Sequence, residues 1–258
     1  MTQRVAIVTG GSRGIGAGIA LKLAEDGYDV AFSYARNAAR AEEVAAEIRA
    51  TGRRALPIQA DGGSAEGNRA IIARTIQEFG RIDALVCNAG MYPYGSIDQA
   101  EIEQIEQVLN LNLRAVMIET SEAVKHMTSG GRLIYIGSAF GERSPFPGIS
   151  LYSATKAALP GFARGVARDL GTRGITANVV QPGPIDTELN PADGEGASLI
   201  RSFCAPGALG KGSGLYAAVA LPAHPAPGFV PGTVTFLRCR TVVRCGSSSW
   251  RDFCFARM

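Results

Sequence analysis

The sequence predicts an α/β fold: a single domain built on a doubly wound parallel sheet with helices on both faces. Three observations lead to this fold class. Short, mostly apolar segments recur along about the first 180 residues, amphipathic segments with helical spacing separate them, and glycines end several of the amphipathic segments. Apolar strands are typical of a parallel sheet that is buried on both sides, and right-handed crossovers place helices on both faces.

Six segments are predicted as β-strands because they are short and apolar. In chain order they are VAIV (5–8), DVAFSY (29–34), RALPIQA (54–60), IDALVCN (82–88), GRLIYIGS (131–138) and GITANVV (174–180). A further segment, GFVPGTVT at 228–235, resembles the approach to a final strand.

Helices are predicted between these strands from apolar residues three and four positions apart. The first three helices are marked by Ile15, Ile19 and Leu23, by Ala41, Val44, Ala45 and Ile48, and by Ile72, Ile76 and Phe79. A long fourth helix is predicted to open at Asp98, with Glu101 completing a capping box, and to continue through Ile102, Ile105, Leu109, Leu113 and Val116. Another helix runs from about Tyr152 to Leu170, and LYAAVAL (215–221) indicates a last one.

Pro160 lies inside the helix predicted from about Tyr152 to Leu170. Proline there removes the hydrogen bond to the carbonyl of residue 156 and crowds that carbonyl, at a cost of ~3 kcal/mol. A kink just after Lys156 is therefore expected.

The composition excludes several classes of protein. The chain is 46% hydrophobic and 19% charged, as in globular proteins. Its net charge is +3, but residues 238–258 hold five arginines and one aspartate, so the first 237 residues carry −1. Because a nucleic-acid binder carries its basic surface on the folded body, no nucleic-acid partner is expected. The cysteines lack C-x-x-C spacing and there are two histidines, which predicts no metal site.

The sequence also favours a cytoplasmic protein without membrane contact. No apolar run approaches the length of a membrane span. The start of the chain passes directly from MTQR into the first strand, which is unlike a signal peptide.

The segment TGGSRGIG, residues 9–16, predicts a phosphate-binding turn between the first strand and the first helix. Its spacing is T-G-x-x-x-G-x-G, which differs from G-x-G-x-x-G. The glycines still permit tight turns and close backbone approach, and the helix N-terminus points at a pyrophosphate. A Rossmann-type dinucleotide site is therefore expected here.

The end of the second strand indicates which dinucleotide binds. The residues Ser33-Tyr34-Ala35-Arg36 include no acidic side chain, where an NAD-binding fold commonly holds the ribose 2′-hydroxyl. Arg36, together with Arg13 of the glycine-rich turn, would suit a 2′-phosphate. The sequence therefore favours NADP(H) over NAD(H); alternatively, both arginines are solvated surface residues.

The other strand exits carry further candidates. Asp61 follows the third strand and could bind adenine or, like Ser64, cap a helix. CNAG (87–90) lets the backbone approach a cofactor, Ser138 ends the fifth strand, and QPGPIDT (181–187) makes a rigid turn. Because ligands of such sheets bind at the carboxyl ends of the strands, these residues should meet in one cleft.

Together these motifs resemble the short-chain dehydrogenase/reductase family over about residues 3–203. The resemblance rests on TGGSRGIG, NAG (88–90), Asn112 in LNLNL, Ser138, Tyr152-x-x-x-Lys156 and PGPIDT (182–187). The sequence as a whole is most similar to those of bacterial NADPH-dependent carbonyl reductases and 3-oxoacyl-carrier-protein reductases. The residues expected to hold NADP(H) are Gly10, Ser12, Arg13, Gly14, Ile15, Gly16, Tyr34, Arg36, Asp61, Asn88, Ala89, Gly90, Tyr152, Lys156, Pro182, Gly183, Ile185 and Thr187.

The resemblance implies a catalytic role for four residues. Tyr152 is the general acid of carbonyl reduction. Lys156 lies one helical turn away, lowers the tyrosine pKa from its ordinary ~10 and holds the nicotinamide ribose. Ser138 hydrogen-bonds the substrate oxygen. Asn112 holds a water that links Lys156 to solvent, unless it is an ordinary helix-interior amide.

The implied activity is that of an NADP-dependent oxidoreductase acting on a small-molecule C=O or CH–OH group. The substrate pocket is expected from the loops at 91–95, 139–150 and about 187–210, in which Tyr92, Tyr94, Phe140 and Phe146 form either an aromatic wall or ordinary loop packing. Two alternatives stay open: a 3-oxoacyl thioester reductase, and a non-catalytic nucleotide-binding sensor on the same fold. A homo-oligomer, a tetramer or a dimer, is also implied.

The C-terminal region departs from the family pattern. Residues 1–237 are expected to form the dinucleotide-binding reductase domain, followed by an atypical basic tail at 238–258 without a regular, buried element. Either stretches near 205–227 and 236–258 are out-of-frame readings of the gene, or the tail is genuine and divergent.

Overall fold

The structure is a computed structural model that describes residues 3–188, 190–194, 197–202, 209–210, 212–223 and 234–237. Seven parallel strands form one sheet in the order β3-β2-β1-β4-β5-β6-β7. The strands are β1 (Arg4–Val8), β2 (Tyr28–Tyr34), β3 (Ala55–Gln59), β4 (Ala84–Cys87), β5 (Arg132–Ile136), β6 (Thr176–Pro182) and β7 (Val234–Leu237). The order reverses direction between β1 and β4, so the predicted doubly wound topology is confirmed.

Strand register brings the carboxyl ends of the central strands to one edge of the sheet. Val8 at the end of β1 pairs with Phe32 on one side and with Val86 on the other, and Cys87 pairs with Tyr135. All residues of β4, β5 and β6 are buried, which explains why these strands are mostly apolar.

Helices cover both faces of the sheet, as the periodicity predicts. They are α1 (Gly14–Glu25), α2 (Ala38–Ala50), α3 (Ala65–Phe79), α4 (Ile102–Leu109), α5 (Ala115–Ala123), α6 (Ser150–Leu170), α7 (Ala197–Ser202) and α8 (Gly212–Ala223). Apolar side chains of α1, α2 and α8 pack in one core, and those of α3, α5 and α6 pack in the other.

The predicted fourth helix is wrong at its start and in its continuity. Asp98 lies in a separate 3-10 turn, Ile97–Gln99, and α4 begins only after Glu101, which makes no side-chain capping bond. A π-helical turn, Asn110–Arg114, then interrupts the run between α4 and α5. Such a turn adds a residue to the helical repeat and often marks a functional site. Here it turns the Asn112 side chain inward, where it is buried.

Pro160 does not end the helix that contains it. The helix α6 is continuous from Ser150 to Leu170. The backbone of Gly141, in the 3-10 turn Ala139–Gly141, approaches α6 so closely that a Cβ on it would lie 3.0 Å from the Lys156 carbonyl oxygen. The carbonyl that Pro160 deprives of its helical donor therefore packs against a glycine.

The C-terminal elements extend the sheet and its helical cover. The predicted last helix is α8, and β7 pairs in parallel with β6 through Val179 and Val234. The expectations for the tail at 238–258 lie outside the described residues. Among the helices that the structure describes, none combines the length and the apolar character needed to cross a bilayer.

Candidate active site

A cleft of about 570 Å³ opens along the carboxyl ends of the strands, at the point where the strand order reverses. Ser138 and all the predicted cofactor residues except Arg36 and Asp61 line it. Met91, Glu188 and Asn190 also line it and lie in the predicted substrate loops. The prediction omitted several further lining residues, namely Ser33, Ala35, Ala60, Gly62, Leu111, Ile136, Gly137 and Pro184. Most of these directly adjoin a predicted residue at a strand exit, so the same rule could have found them.

The glycine-rich turn is a tight turn whose backbone leaves little room for side chains. Gly10 and Gly14 have φ of 65° and 52°, in the left-handed region that favours glycine. A Cβ on Gly16 would lie 2.2 Å from the Gly10 carbonyl oxygen. The N-cap residue Arg13 makes no side-chain bond to the first turn of α1, so amides of that turn remain available to an anion.

The floor of the cleft is held by hydrogen bonds between the exits of β1 and β4. The Thr9 hydroxyl accepts from the backbone N–H groups of Asn88 and Ala89, each at 3.1 Å. The Asn88 side-chain amide donates back to the Thr9 carbonyl at 2.9 Å. A Cβ on Gly10 would lie 3.1 Å from the Ala89 Cα. These contacts explain the small residues of the segment at 88–90.

The two arginines predicted to read a 2′-phosphate are placed differently. Arg13 is exposed and lines the cleft beside Tyr34. Arg36 is also exposed, but its neighbour Ala35 lines the cleft and Arg36 itself does not. Arg13 is therefore the better placed of the two for an anion in the cleft.

Of the two residues that could cap the helix after β3, Ser64 does so and Asp61 does not. The Ser64 hydroxyl caps α3 by accepting from the Gly67 N–H at 2.9 Å. The Asp61 carboxylate accepts from the Gly63 N–H at 2.9 Å, and Asp61 is outside the lining of the cleft. The adenine contact of Asp61 stays a prediction.

Tyr152, Ser138 and Lys156 meet at the opposite end of the cleft. The Ser138 hydroxyl accepts from the Phe140 N–H at 3.1 Å and is hydrogen-bonded to Tyr152. The Lys156 Nζ donates to the Ile136 carbonyl at 2.8 Å and lies 5.8 Å from the centre of the Tyr152 ring. The exit of β5 and the first turns of α6 thus bring together a hydroxyl, a phenol and an amine.

Burial dominates the electrostatics of this group. It raises the pKa of Tyr152, and the hydrogen bond with Ser138 offsets part of that rise. It lowers the pKa of Lys156 to about 8, against a smaller opposing effect of Cys87. Burial and the Ser138 hydrogen bond account for the shift of the Tyr152 pKa, and the expected lowering of that pKa by Lys156 stays a prediction.

Asn112 fastens the loop after β4 to the catalytic helix. Its side-chain oxygen accepts from the Met91 N–H at 2.8 Å, and its amide nitrogen donates to the Met91 carbonyl at 2.9 Å and to the Thr155 hydroxyl at 3.2 Å. A Cβ on Gly90 would lie 3.3 Å from the Asn112 Oδ1 and 3.7 Å from the Lys156 Nζ. Asn112 is therefore close to Lys156 but outside the cleft lining, and its water-holding role stays a prediction.

The sequence analysis missed a buried carboxyl group, Glu119 of α5, which is 1% exposed. Neither oxygen of its carboxyl group has a hydrogen-bond partner within the described residues, although the nearby Cys87 thiol and Thr9 hydroxyl moderate the effect of burial on its pKa. Burial nevertheless raises the pKa of Glu119 to about 7. Nothing in the local pattern signals this residue, because only the packing of α5 against the sheet decides that it is buried.

Two of the four predicted aromatic residues line the catalytic end. Tyr92 and Phe140 line the cleft, and Phe146 packs edge-on against Phe140 with ring centres 5.5 Å apart. Tyr94 is 66% exposed and does not line the cleft. The predicted wall is thus built from Tyr92 and Phe140.

Comparison with known proteins identifies the family. The family model for short chain dehydrogenases matches residues 4–197. The cyclic-di-GMP-binding biofilm dispersal mediator protein of Escherichia coli K12 is 38% identical, over 90% of this chain and 94% of that protein. Hydroxynaphthalene reductase arp2 of Aspergillus fumigatus is 40% identical over 73% of this chain and 69% of that protein.

A solved structure extends the similarity to the whole fold. A short-chain dehydrogenase from Burkholderia cenocepacia J2315, in complex with NADP, is 46% identical to this chain with a TM-score of 0.90, covering 92% of this chain and 98% of that one. The matched fold, the family model and the clustered motif residues agree with one another. The chain therefore belongs to the short-chain dehydrogenase/reductase family.

Proposed function

We propose that this chain is an NADP(H)-dependent carbonyl reductase in which Tyr152 exchanges the proton with the substrate oxygen. One observation carries the proposal: Tyr152, Ser138 and Lys156 meet at one end of a single cleft, and the glycine-rich turn forms its other end. A donor group and a dinucleotide cradle in one cleft suit reduction of a bound carbonyl. The similarity to a reductase and to an NADP complex supports the same reaction.

The residues of the cleft fit a dinucleotide. The first turn of α1 offers backbone amides to a pyrophosphate, and the tight turn before it requires glycine at position 16, where a Cβ would lie 2.2 Å from the Gly10 carbonyl oxygen. Arg13 lies where a 2′-phosphate would add charge-assisted hydrogen bonds. Ile185 and Thr187 line the cleft on the side expected for the nicotinamide. When bound, the cofactor supplies or accepts the hydride.

The chain itself would position the substrate and deliver the proton. The Ser138 hydroxyl is fixed by the Phe140 N–H and can hydrogen-bond the carbonyl oxygen as negative charge develops there. Because burial raises the pKa of Tyr152, its phenol is protonated at neutral pH and can act as an acid. Proton transfer to the oxygen completes the alcohol, and the nearby Lys156 ammonium favours the resulting phenolate.

A second candidate is a nucleotide-binding sensor without turnover. It is favoured by the similarity to the Escherichia coli protein that is named for cyclic-di-GMP binding. The retention of Tyr152, Ser138 and Lys156 in one cleft favours catalysis instead. Sustained turnover of NADPH with a carbonyl substrate would separate the two.

The test is NADPH oxidation by the full chain against a panel of ketones, aldehydes and an acetoacetyl thioester. We expect turnover with at least one ketone or aldehyde, and preference for the thioester would identify the 3-oxoacyl alternative. Tyr152→Phe should abolish reduction and leave the NADPH dissociation constant nearly unchanged, since it removes only the hydroxyl group and keeps the ring that lines the cleft.

Tyr94→Phe is the matched control, because Tyr94 is 66% exposed and lies outside the cleft lining. It should retain parental activity. General acid catalysis contributes roughly 100-fold or more to such reactions, so activity of Tyr152→Phe within about tenfold of the parent would contradict the role of Tyr152.

A further inference from the structure

We propose, building on the carbonyl reductase function, that Tyr92 is a specificity-determining residue that selects substrates whose carbonyl carbon is attached to a planar aromatic ring system. The Tyr92 ring lies edge-on against the ring of Tyr152, with centres 4.8 Å apart and planes at 72°. This is a favoured arrangement for two aromatic rings. The substituent of any carbonyl held by Tyr152 must therefore pass close to Tyr92.

Part of the Tyr92 ring remains open to the cleft. Tyr92 lines the cleft and is 36% exposed, so its contact with Tyr152 leaves aromatic surface uncovered. Phe140 lines the same cleft, and Phe146 braces it from behind. The catalytic end thus presents the aromatic rings of Tyr92 and Phe140 to a substrate. A flat aromatic substituent can pack on such a surface more closely than a puckered saturated one.

Hydrogen bonds on both sides hold Tyr92 in place. On one side, both backbone polar groups of Met91 bond to the Asn112 side chain, at 2.8 and 2.9 Å. On the other side, the Gly95 N–H donates to the Gly148 carbonyl at 2.9 Å. The loop after β4 is therefore fastened both to the π-helical turn and to the loop after β5. A fixed ring loses little freedom on binding a ligand, which favours selectivity.

Tyr92 does not compete with Tyr152 as a proton donor. Burial, and to a smaller extent the neighbouring Tyr152 and Tyr94, raise the pKa of Tyr92 to about 12. The side chain therefore stays neutral over the working range of an enzyme, and its contribution comes from the ring rather than from ionisation. It follows that Tyr92→Phe should preserve the selectivity and Tyr92→Leu should not.

The experiment compares 1-tetralone with 1-decalone, two ketones with the same carbon skeleton, of which the first has an aromatic ring and the second is saturated. The ratio of their kcat/KM values is measured for the parent, Tyr92→Leu, Tyr92→Phe and Tyr94→Leu. Differences in intrinsic reactivity cancel between parent and variant. Any effect of Tyr92 on the orientation of the Tyr152 side chain changes kcat/KM for both ketones alike and therefore cancels in the ratio.

We expect Tyr92→Leu to lower the ratio of tetralone to decalone about three- to tenfold, which is the range given by one aromatic contact. Tyr92→Phe and the control Tyr94→Leu should keep the ratio within about twofold of the parent. A ratio in Tyr92→Leu that changes no more than in Tyr94→Leu would overturn the proposal.

A binding measurement separates this proposal from the proposed function. The affinities of the NADP-loaded protein for 1-naphthol and for 1-decalol are measured by titration calorimetry in the same variants. If the parent reduces neither ketone but still binds 1-naphthol selectively through Tyr92, the aromatic site is supported and the reductase function is contradicted. If neither turnover nor binding depends on the Tyr92 ring, the aromatic site is refuted.

Discussion

At the scale of single residues, substitutions of Arg13 and Arg36 test which side chain makes the protein prefer NADPH to NADH. Arg13→Ala should weaken NADPH binding roughly ten- to a hundredfold and leave NADH binding almost unchanged, because a charge-assisted arginine–phosphate bond contributes about 1.5–3 kcal/mol. Arg36→Ala should have the smaller effect, since Arg36 lies outside the cleft lining. The measurement is the dissociation constant of each cofactor by fluorescence titration.

Arg53→Ala is the control for this pair, because the Arg53 guanidinium is bonded to Gln3 and lies outside the cleft lining. Equal losses of NADPH and NADH affinity in Arg13→Ala would show that Arg13 does not read the 2′-phosphate.

Glu119 makes the stability of the protein depend on pH. Burial raises its pKa from 4.5 to about 7, so the folded state holds a proton that the unfolded state releases between these values. The stability that this proton provides is complete below about pH 4.5 and is lost as the pH rises through about 7. Glu119→Gln, which cannot ionise, should gain about 3 kcal/mol of unfolding free energy over the parent between about pH 5 and pH 8.

Glu122→Gln provides a control of the opposite sign. Glu122 lies three residues further on, and its ion pair with Lys125 lowers its pKa. Removing that carboxylate should destabilise the protein slightly at neutral pH rather than stabilise it. Urea unfolding at several pH values measures both effects; a pH-independent difference between Glu119→Gln and the parent would contradict the assignment of Glu119.

At the scale of elements, Pro160 within α6 has a direct test. Pro160→Ala restores an amide hydrogen bond to the Lys156 carbonyl and removes the crowding by the ring, so the melting temperature should rise by a few degrees. Pro160→Gly restores the same amide without the helix propensity of alanine, so it separates the hydrogen bond from propensity. Differential scanning calorimetry measures both variants.

The close approach of the Gly141 backbone to α6 gives a physical reason for the opposite result with Pro160→Ala. If the packing of the Lys156 carbonyl against the Gly141 backbone already stabilises it fully, the new amide hydrogen bond does not increase the stability of the protein. An unchanged or lower melting temperature in Pro160→Ala would then show that the helix is adapted to proline at this position.

At the scale of the whole molecule, α4, α5 and α6 present a surface that suits a second copy of the chain. Ile102, Leu109 and Met117 are large exposed hydrophobic residues along α4 and α5. The neighbouring α6 exposes Gly161 and Gly165, which allow another helix to approach closely. Such a patch is typical of an interface, and we expect a homo-oligomer.

Light scattering coupled to size-exclusion chromatography tests this expectation. The parent should have a mass that is a multiple of 27.0 kDa, and Met117→Glu, alone or with Leu109→Glu, should reduce it to that of one chain. Leu199→Glu, which changes an exposed leucine of α7, should leave the assembly intact. A parent of single-chain mass would refute the interface.

The sequence by itself determined the architecture and most of the site. Apolar strands alternating with amphipathic helices specify a doubly wound sheet because burial of apolar surface depends mainly on pattern. The strand exits then predict the cleft, because parallel strands all end at one edge; Gly10, Asn88 and Ser138 were found in this way and line it. Tyr152, which also lines it, was predicted from its spacing to Lys156 and from the family resemblance.

Only the tertiary structure decided the features that depend on contacts between distant segments. The π-helical turn at Asn112 could not be predicted, since its side-chain bonds to Met91 and Thr155 form only when three elements pack together. Similarly, Glu119 is buried by the packing of α5, and the loss of solvation is the largest cause of the raised pKa values of Glu119 and Tyr152. Spacing along the chain predicts which groups share a face, whereas desolvation and close contact arise only in the folded interior.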